Sequence, residues 1–192
     1  MSRKTYGQYC GLAKALDHVG DRWTLLIVRE LLIGPRRYST IRAALPGIAT
    51  NLLADRLHAL ESDGLITKSE DGTYELTAGG RELEPAIHAL VRWGGRWMRK
   101  RQRDDVFRPE WLVVALRSLL PKTRSGSVEL RVDGYTLHLD RRRVGVGPLD
   151  QPDAVVEGPA EKVLAVAAGH AQLSTLKVRG NRKVAAAAFE CS

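Results

Sequence analysis

A chain of 192 residues is long enough for one large or two small domains, and 44% hydrophobic with 27% charged residues is an ordinary globular composition. The formal net charge of +8 and the pI of about 9.8 suit a polyanionic partner. No apolar run approaches the roughly 18 residues of a bilayer span. No apolar stretch follows the charged start to form a secretory leader, and Cys10 and Cys191 match neither a zinc nor a disulfide framework, so a cytoplasmic protein without membrane attachment is expected.

The first expected helix covers 10–19, with Leu12, Ala15, Leu16 and Val19 at helical spacing. The second, about 23–33, is apolar on most faces and therefore central. Gly34-Pro35 stops it, and Tyr38 to Ala44 is a short third helix. After the turn Leu45-Pro46-Gly47-Ile48, a fourth helix runs from Thr50 to about Asp63, with Leu53, Leu57 and Leu60 as its inward stripe. Residues 65–68 and 73–76 alternate around Asp71-Gly72, a favoured hairpin dipeptide. Thr77 can cap a fifth helix reaching about Arg101, with Leu83, Ile87, Leu90, Val91 and Trp97 on its apolar face and a kink near Pro85. A charged linker, 99–105, follows.

Beyond it the composition changes. A helix over 109–120 precedes two alternating strands, 128–132 and 136–140, joined by Asp133-Gly134. Strands are expected at 144–146, 154–156 and 176–178, and helices at 160–170 and 183–189. The fold class is therefore α+β: a domain over 1–103 made mostly of helices with a hairpin, then a domain over 108–192 with a sheet and helices on one side. Basic residues outnumber acidic ones 18 to 13 in 1–108 and 12 to 9 in 109–192, so the excess is modest and spread out.

Helix, turn, helix and hairpin between Asp21 and Thr77 are the order of a winged helix-turn-helix, whose recognition helix enters the DNA major groove. With the leucine stripe inward, Thr50, Asn51, Ala54, Asp55 and His58 of the fourth helix point out. Asn pairs bidentately with adenine, and Thr offers a hydroxyl or a methyl group to a base edge. Arg56 flanks the core face within reach of a phosphate. The plainer alternatives are that Thr50 only caps the helix and that Asp55 only pairs with Arg56. Arg36, Arg37, Tyr38 and Ser39 open the third helix and are candidate phosphate contacts, the alternative being a solvated turn. Lys68 beside the hairpin is a further candidate.

Residues 10–16, 20–32, 34–38, 45–57 and 60–65 together resemble the HxlR-type branch of the winged-helix transcription regulators, relatives of the MarR family. The resemblance implies a dimeric DNA-binding regulator built through its first and last helices. The stretches 132–139, 152–158 and 176–181, with Gly169, resemble the sterol-carrier-protein fold, which implies an apolar tunnel and a ligand-sensing or dimerising role. Cys10 stands where several HxlR-type regulators resemble redox or electrophile sensors, and a helix dipole can lower a thiol pKa there; the alternative is a small buried hydrophobe. Trp93 and Trp97, four apart, are ordinary core or line an aromatic pocket, and with Trp111 they are the candidates for an effector pocket.

The five histidines are scattered, Gly145-Val146-Gly147 lacks the third glycine of a dinucleotide fingerprint, and no Ser, His and acid set stands in a recognisable order, so no metal, cofactor or catalytic residue is expected. The expectation is a homodimeric regulator, a repressor, reading a pseudo-palindromic double-stranded operator and released by a small apolar effector bound at the C-terminal domain or its junction with the helical dimer. The alternatives are the same regulator switched at Cys10, and a lipid or small-molecule carrier.

Overall fold

The computed structural model describes residues 5–98, 105–120, 126–140 and 143–190. Cys191 and most of the expected linker over 99–105 lie outside the described residues. The chain divides into two compact units, Met1–Ile87 and His88–Ser192. That division falls earlier than the linker at which the composition changes.

The first unit begins with α1 (Gly11–Val19) and α2 (Thr24–Ile33). Strand β1 (Arg36–Arg37) leads into α3 (Tyr38–Ala44), and α4 (Thr50–Ser62) follows the turn. Strands β2 (Ile66–Lys68) and β3 (Thr73–Leu76) form the hairpin, and α5 (Ala78–Arg81) closes the unit. Ile27, Val28 and Leu31 of α2, Ile41 of α3, and Leu53, Leu57 and Leu60 of α4 are buried together with Ile66 and Leu76 of the hairpin. Burying each such side chain stabilises the unit by about 1.5–3 kcal/mol relative to exposure, which is why the near-continuous apolar run of α2 sits at the centre.

Two features differ from the sequence expectation. Arg36 and Arg37 do not open α3. They form a short strand paired with β3, Arg36 opposite Tyr74 and Arg37 opposite Thr73, so the wing is a three-stranded sheet in the order β1-β3-β2. Two residues carry no period-2 signal, and the pairing exists only because β3 lies beside them. The expected long helix is also not one helix. Thr77 accepts the Gly80 amide and caps α5, the helix ends at Arg81, and α6 (Glu84–Gly94) starts with Pro85 in its first turn. A proline is tolerated there because its missing N–H would have no partner within the helix. Past α6, Gly95–Trp97 is a 3₁₀ turn.

In the second unit, a 3₁₀ turn at Pro109–Trp111 leads into α7 (Leu112–Leu119). Strands β4 (Ser127–Val132), β5 (Tyr135–Asp140) and β6 (Arg143–Val146) form a meander, and β7 (Ala154–Glu157), α8 (Ala160–Ala167), β8 (Lys177–Gly180) and α9 (Arg182–Phe189) complete it. The sheet order is β6-β5-β4-β7-β8, with β4 and β7 parallel and every other pair antiparallel. Asp133 and Gly134 take φ of 47° and 81°, the left-handed pair that a two-residue hairpin matching the strand twist requires. Val128, Leu130, Val132, Leu137, Leu139, Val144, Ala154 and Val156 are buried on one sheet face, against which α7 and α9 pack.

The other face is polar, and its groups meet one another. Glu129, only 4% exposed, accepts from Arg131 Nε at 2.8 Å and from the Leu149 amide at 3.2 Å. His138 Nδ1 lies 3.1 Å from the Gly147 carbonyl. Asp153 accepts from the Ser127 amide and hydroxyl, which hold its carboxyl below the ordinary value.

Candidate nucleic-acid interface

Helix α4 presents a leucine stripe inward and a polar face outward. Leu53, Leu57 and Leu60 are at most 1% exposed, whereas Thr50, Asn51, Ala54, Asp55 and His58 are exposed. The helix begins one residue before Thr50 could cap it. Ala49 holds the cap position, and no side chain caps the helix. Among the described residues the side chains of Thr50 and Asn51 enter no hydrogen bond, so both stand open at the helix start, where a recognition helix meets base edges.

Arg56 is placed differently from its neighbours. Its Nη2 donates to Asp21 Oδ2 at 2.7 Å, and no Asp55–Arg56 ion pair forms among the described residues. Asp21 Oδ1 accepts the Trp23 amide at 2.9 Å. Burial raises the Asp21 carboxyl, but the Arg56 hydrogen bond, the Trp23 amide and the Arg56 charge outweigh it and hold the group below its ordinary value. Tyr38 is likewise engaged, its hydroxyl donating to the Thr50 carbonyl at 2.9 Å.

Arg37, on β1, stands near the wing tip, with Nη2 3.7 Å from Asp71 Oδ2. The tip is a closed network: Asp71 accepts from Ser69 Oγ and from the Thr73 amide and hydroxyl. The Ser69 and Thr73 hydrogen bonds, helped by the Arg37 charge, hold the Asp71 carboxyl below its ordinary value. Lys68 is exposed, its ammonium 5.4 Å from the Tyr74 ring centre. Arg36 is part-buried, and its Nε has no hydrogen-bond partner. Ser39 lines an open cleft of about 500 Å³ with Tyr38, Arg42, Ala43 and the turn Leu45 to Ile48. Sequence reasoning missed Arg42. It lies one turn along α3 from Tyr38, and that i,i+4 spacing was the available signal.

The remaining candidates lie elsewhere. Cys10 is exposed rather than a buried hydrophobe. The amides of Ala13 and Leu12 at the open end of α1 lower its thiol pKa. Trp93 and Trp97 are not core: they are 55% and 61% exposed. Their rings meet edge to face with centres 4.5 Å apart, and the Arg96 guanidinium lies near both. Trp111 is part-buried before α7. On α1, Leu12 is 69% exposed, and Leu16 and the preceding Tyr6 and Tyr9 are also open. In the second unit a polar open cleft of about 410 Å³ is bounded by Arg131, Asp133, Gly134, Glu157, Gly158 and Pro159. Among the described residues no group of three His, Cys, Asp or Glu could hold a metal ion, and no helix is long and apolar enough to cross a membrane.

The HxlR-like helix-turn-helix family model matches residues 18–102. An uncharacterized HTH-type transcriptional regulator of Synechocystis, sll1512, is 35% identical over 98 residues, covering 48% of this chain and 73% of that protein. Another from Bacillus subtilis, YvaP, is 35% identical over 91 residues, covering 44% of this chain and 84% of that one. A crystal structure of a MarR-family transcriptional regulator from Porphyromonas gingivalis W83 is 31% identical, covering 48% of this chain and 97% of that one with a TM-score of 0.44.

Proposed function

The chain belongs to the HxlR-like helix-turn-helix family of DNA-binding transcription regulators, and from that premise we propose that it is a homodimeric repressor whose α4 reads a half-site of a pseudo-palindromic operator. The observation that carries this reading is the open start of α4, where Thr50 and Asn51 are exposed and without side-chain partners among the described residues. Asn51 supplies the adenine-type donor and acceptor pair, Thr50 a hydroxyl and a methyl group, and Asp55 an acceptor for a cytosine amine one turn on. Arg36, Arg37, Ser39, Arg42 and Lys68 supply the sequence-independent phosphate contacts. Arg56 contributes by holding α4 to Asp21 rather than by leaving that pair.

Dimerisation through α1 and α6 is supported by their uncovered apolar faces. Tyr6, Tyr9, Leu12 and Leu16 before and on one, and Leu90, Trp93, Trp97 and Met98 on and after the other, are large apolar side chains exposed in the protein. A second copy of the chain is the partner that the family resemblance implies. Residues 108–192 then serve as the effector-responsive, sterol-carrier-like domain. The mixed sheet with helices against one face supports that assignment. Leu116, Leu130, Leu137, Leu139 and Val163 fill the layer between sheet and helices at 1% exposure or less. An apolar effector would therefore act by preferring a conformation in which that layer opens.

The test begins with an operator selected by the purified protein from random duplex DNA. Asn51→Ala weakens binding most at one base position, and equal loss on every sequence would count against direct readout. Replacing Arg36 and Arg37 with Ala weakens all sequences and lowers the salt slope by about 1 to 2 units. Native mass spectrometry with and without that operator reads the dimer and any co-purified small molecule.

The exposed Cys10 thiol, with its lowered pKa, favours a second reading in which its oxidation switches the same regulator. Cys10→Ser then abolishes a loss of operator affinity under diamide; a wild-type protein indifferent to diamide removes this reading.

A further inference from the structure

Among the described residues, two polar struts within α4 join the recognition helix to the rest of its unit in addition to its leucine stripe, and His18 Nδ1 lies 3.1 Å from Asp63 Oδ2 just past its end. The first joins the starts of two helices. Tyr38, the first residue of α3, donates its hydroxyl proton to the carbonyl of Thr50, the first residue of α4. That carbonyl also faces the helix's own ladder, and its second lone pair is the one a side-chain donor can use. The phenol has a single proton, so while it is given to Thr50 it cannot be given to a phosphate.

The second strut grips α4 farther along. Asp21 divides its two oxygens: Oδ1 takes the Trp23 amide at the head of α2, and Oδ2 takes Arg56 Nη2. Thr50 and Arg56 are six residues apart, about 9 Å along the axis. Two attachment points on a rod fix its tilt, and the leucine stripe fixes its rotation.

We propose that Tyr38 and Asp21 are positioning residues of the recognition helix, setting its tilt and depth and so determining discrimination between base sequences without touching DNA themselves. This rests on the reading of α4 as the recognition helix. The physical reason is a difference in tolerance. A bidentate side-chain pair with a base edge works only within a few tenths of an ångström and about 30° of its best geometry. Long arginine and lysine side chains follow a phosphate through larger displacements, and their attraction falls off slowly. A loosened α4 therefore loses base readout before it loses general DNA affinity. A contact residue for phosphate behaves in the opposite way and weakens every duplex alike.

The experiment compares two probes at one salt concentration: the duplex selected by the wild-type protein, and a scrambled duplex of the same length. Tyr38→Phe keeps the ring and removes only the proton donor. It is expected to weaken the selected duplex roughly five- to tenfold, of the order of one mismatched base pair, and the scrambled duplex less than about twofold. Asp21→Asn keeps an acceptor for the Trp23 amide and removes the charge that holds Arg56, with the same preferential loss expected. Arg56→Lys keeps a cation on Asp21 and is expected to retain most of the discrimination. Thermal melting accompanies each variant, because a purely structural role lowers the midpoint while leaving the ratio of the two affinities in place.

Equal loss on both duplexes from Tyr38→Phe would make it a phosphate contact, and an unchanged ratio in both Tyr38→Phe and Asp21→Asn would remove the struts from the account. Asn51→Ala distinguishes a failure of the struts from a failure of α4 as the recognition helix. If it changes the ratio while the strut variants do not, the struts fall and the recognition helix stands. If Asn51→Ala also leaves the ratio intact, the reading of α4 falls and takes the struts with it.

Discussion

The winged-helix unit and the sheet unit use their polar groups in opposite ways. On the polar face of the sheet, Glu129 meets Arg131 and the Leu149 amide, and Asp153 meets Ser127. Those side chains hold the fold's own edges and loops. On α4 the side chains of Thr50 and Asn51 form no hydrogen bond with their own chain among the described residues, while Arg56 and Tyr38 beside them are engaged. The difference separates two meanings of a surface polar residue. Groups whose donors and acceptors are matched internally report on stability, and groups left open on a rigidly held helix report on a partner.

The contrast breaks most sharply at glycines whose Cβ would meet backbone. A Cβ on Gly80 would overlap the Leu65 carbonyl at the junction of wing and α5. Gly80→Ala should destabilise the first unit by about 3 kcal/mol, the upper range for overpacking. In the second unit, Gly180 has φ +79° and its Cβ would lie 2.6 Å from the Asp153 carbonyl oxygen, so Gly180→Ala should cost about 1–3 kcal/mol. Hydrogen exchange reads the two units separately. Each substitution should speed exchange in its own unit, and a uniform response of both units to either change would show one cooperative block instead of two.

Smaller in energy, and sharper as a test of the uncovered apolar faces, is the pair Leu12→Asp and Trp93→Ala. Each should weaken self-association by roughly 30-fold, the effect of an interface hot spot of about 2 kcal/mol. Sedimentation equilibrium measures it, with Val146→Asp on the exposed edge of the sheet as a comparison expected to change little. Loss of the dimer through Val146 instead would move the interface into the sheet unit.

The smallest effect expected is the acid response. Asp21, Asp71 and Asp153 all have folded-state pKa values below their ordinary value. Each therefore contributes stability that is present above the ordinary carboxylate pKa and is lost as pH falls through the lowered one. Asp21→Asn should flatten the acid limb of the first unit and Asp153→Asn that of the second, read from melting midpoints between about pH 5 and 2. Asp71→Asn, at the exposed wing tip, should change the midpoint least. An acid limb untouched by Asp21→Asn would mean that the Arg56 pair contributes nothing to the folded unit.

Local sequence signals determined far more of the helices and strands than of their surroundings. Helical spacing at Leu53, Leu57 and Leu60, alternation around Asp71-Gly72 and Asp133-Gly134, and proline and glycine at helix ends are all interactions between near neighbours in the chain. They placed α3 as Tyr38–Ala44 and the hairpin strands within a residue. They also marked Thr50 and Asn51 as outward-facing, because an inward stripe determines the opposite face. What depends on residues far apart was decided by tertiary structure alone. Strand β1 exists because β3 lies next to Arg36 and Arg37. Arg56 is held by Asp21 from 35 residues away, and Tyr38 reaches Thr50 across the turn. Trp93 and Trp97 lie in water because among the described residues no element covers them, although their spacing on a helix is that of a core stripe. Periodicity states which face of an element is apolar; only packing decides whether this chain or a partner covers it.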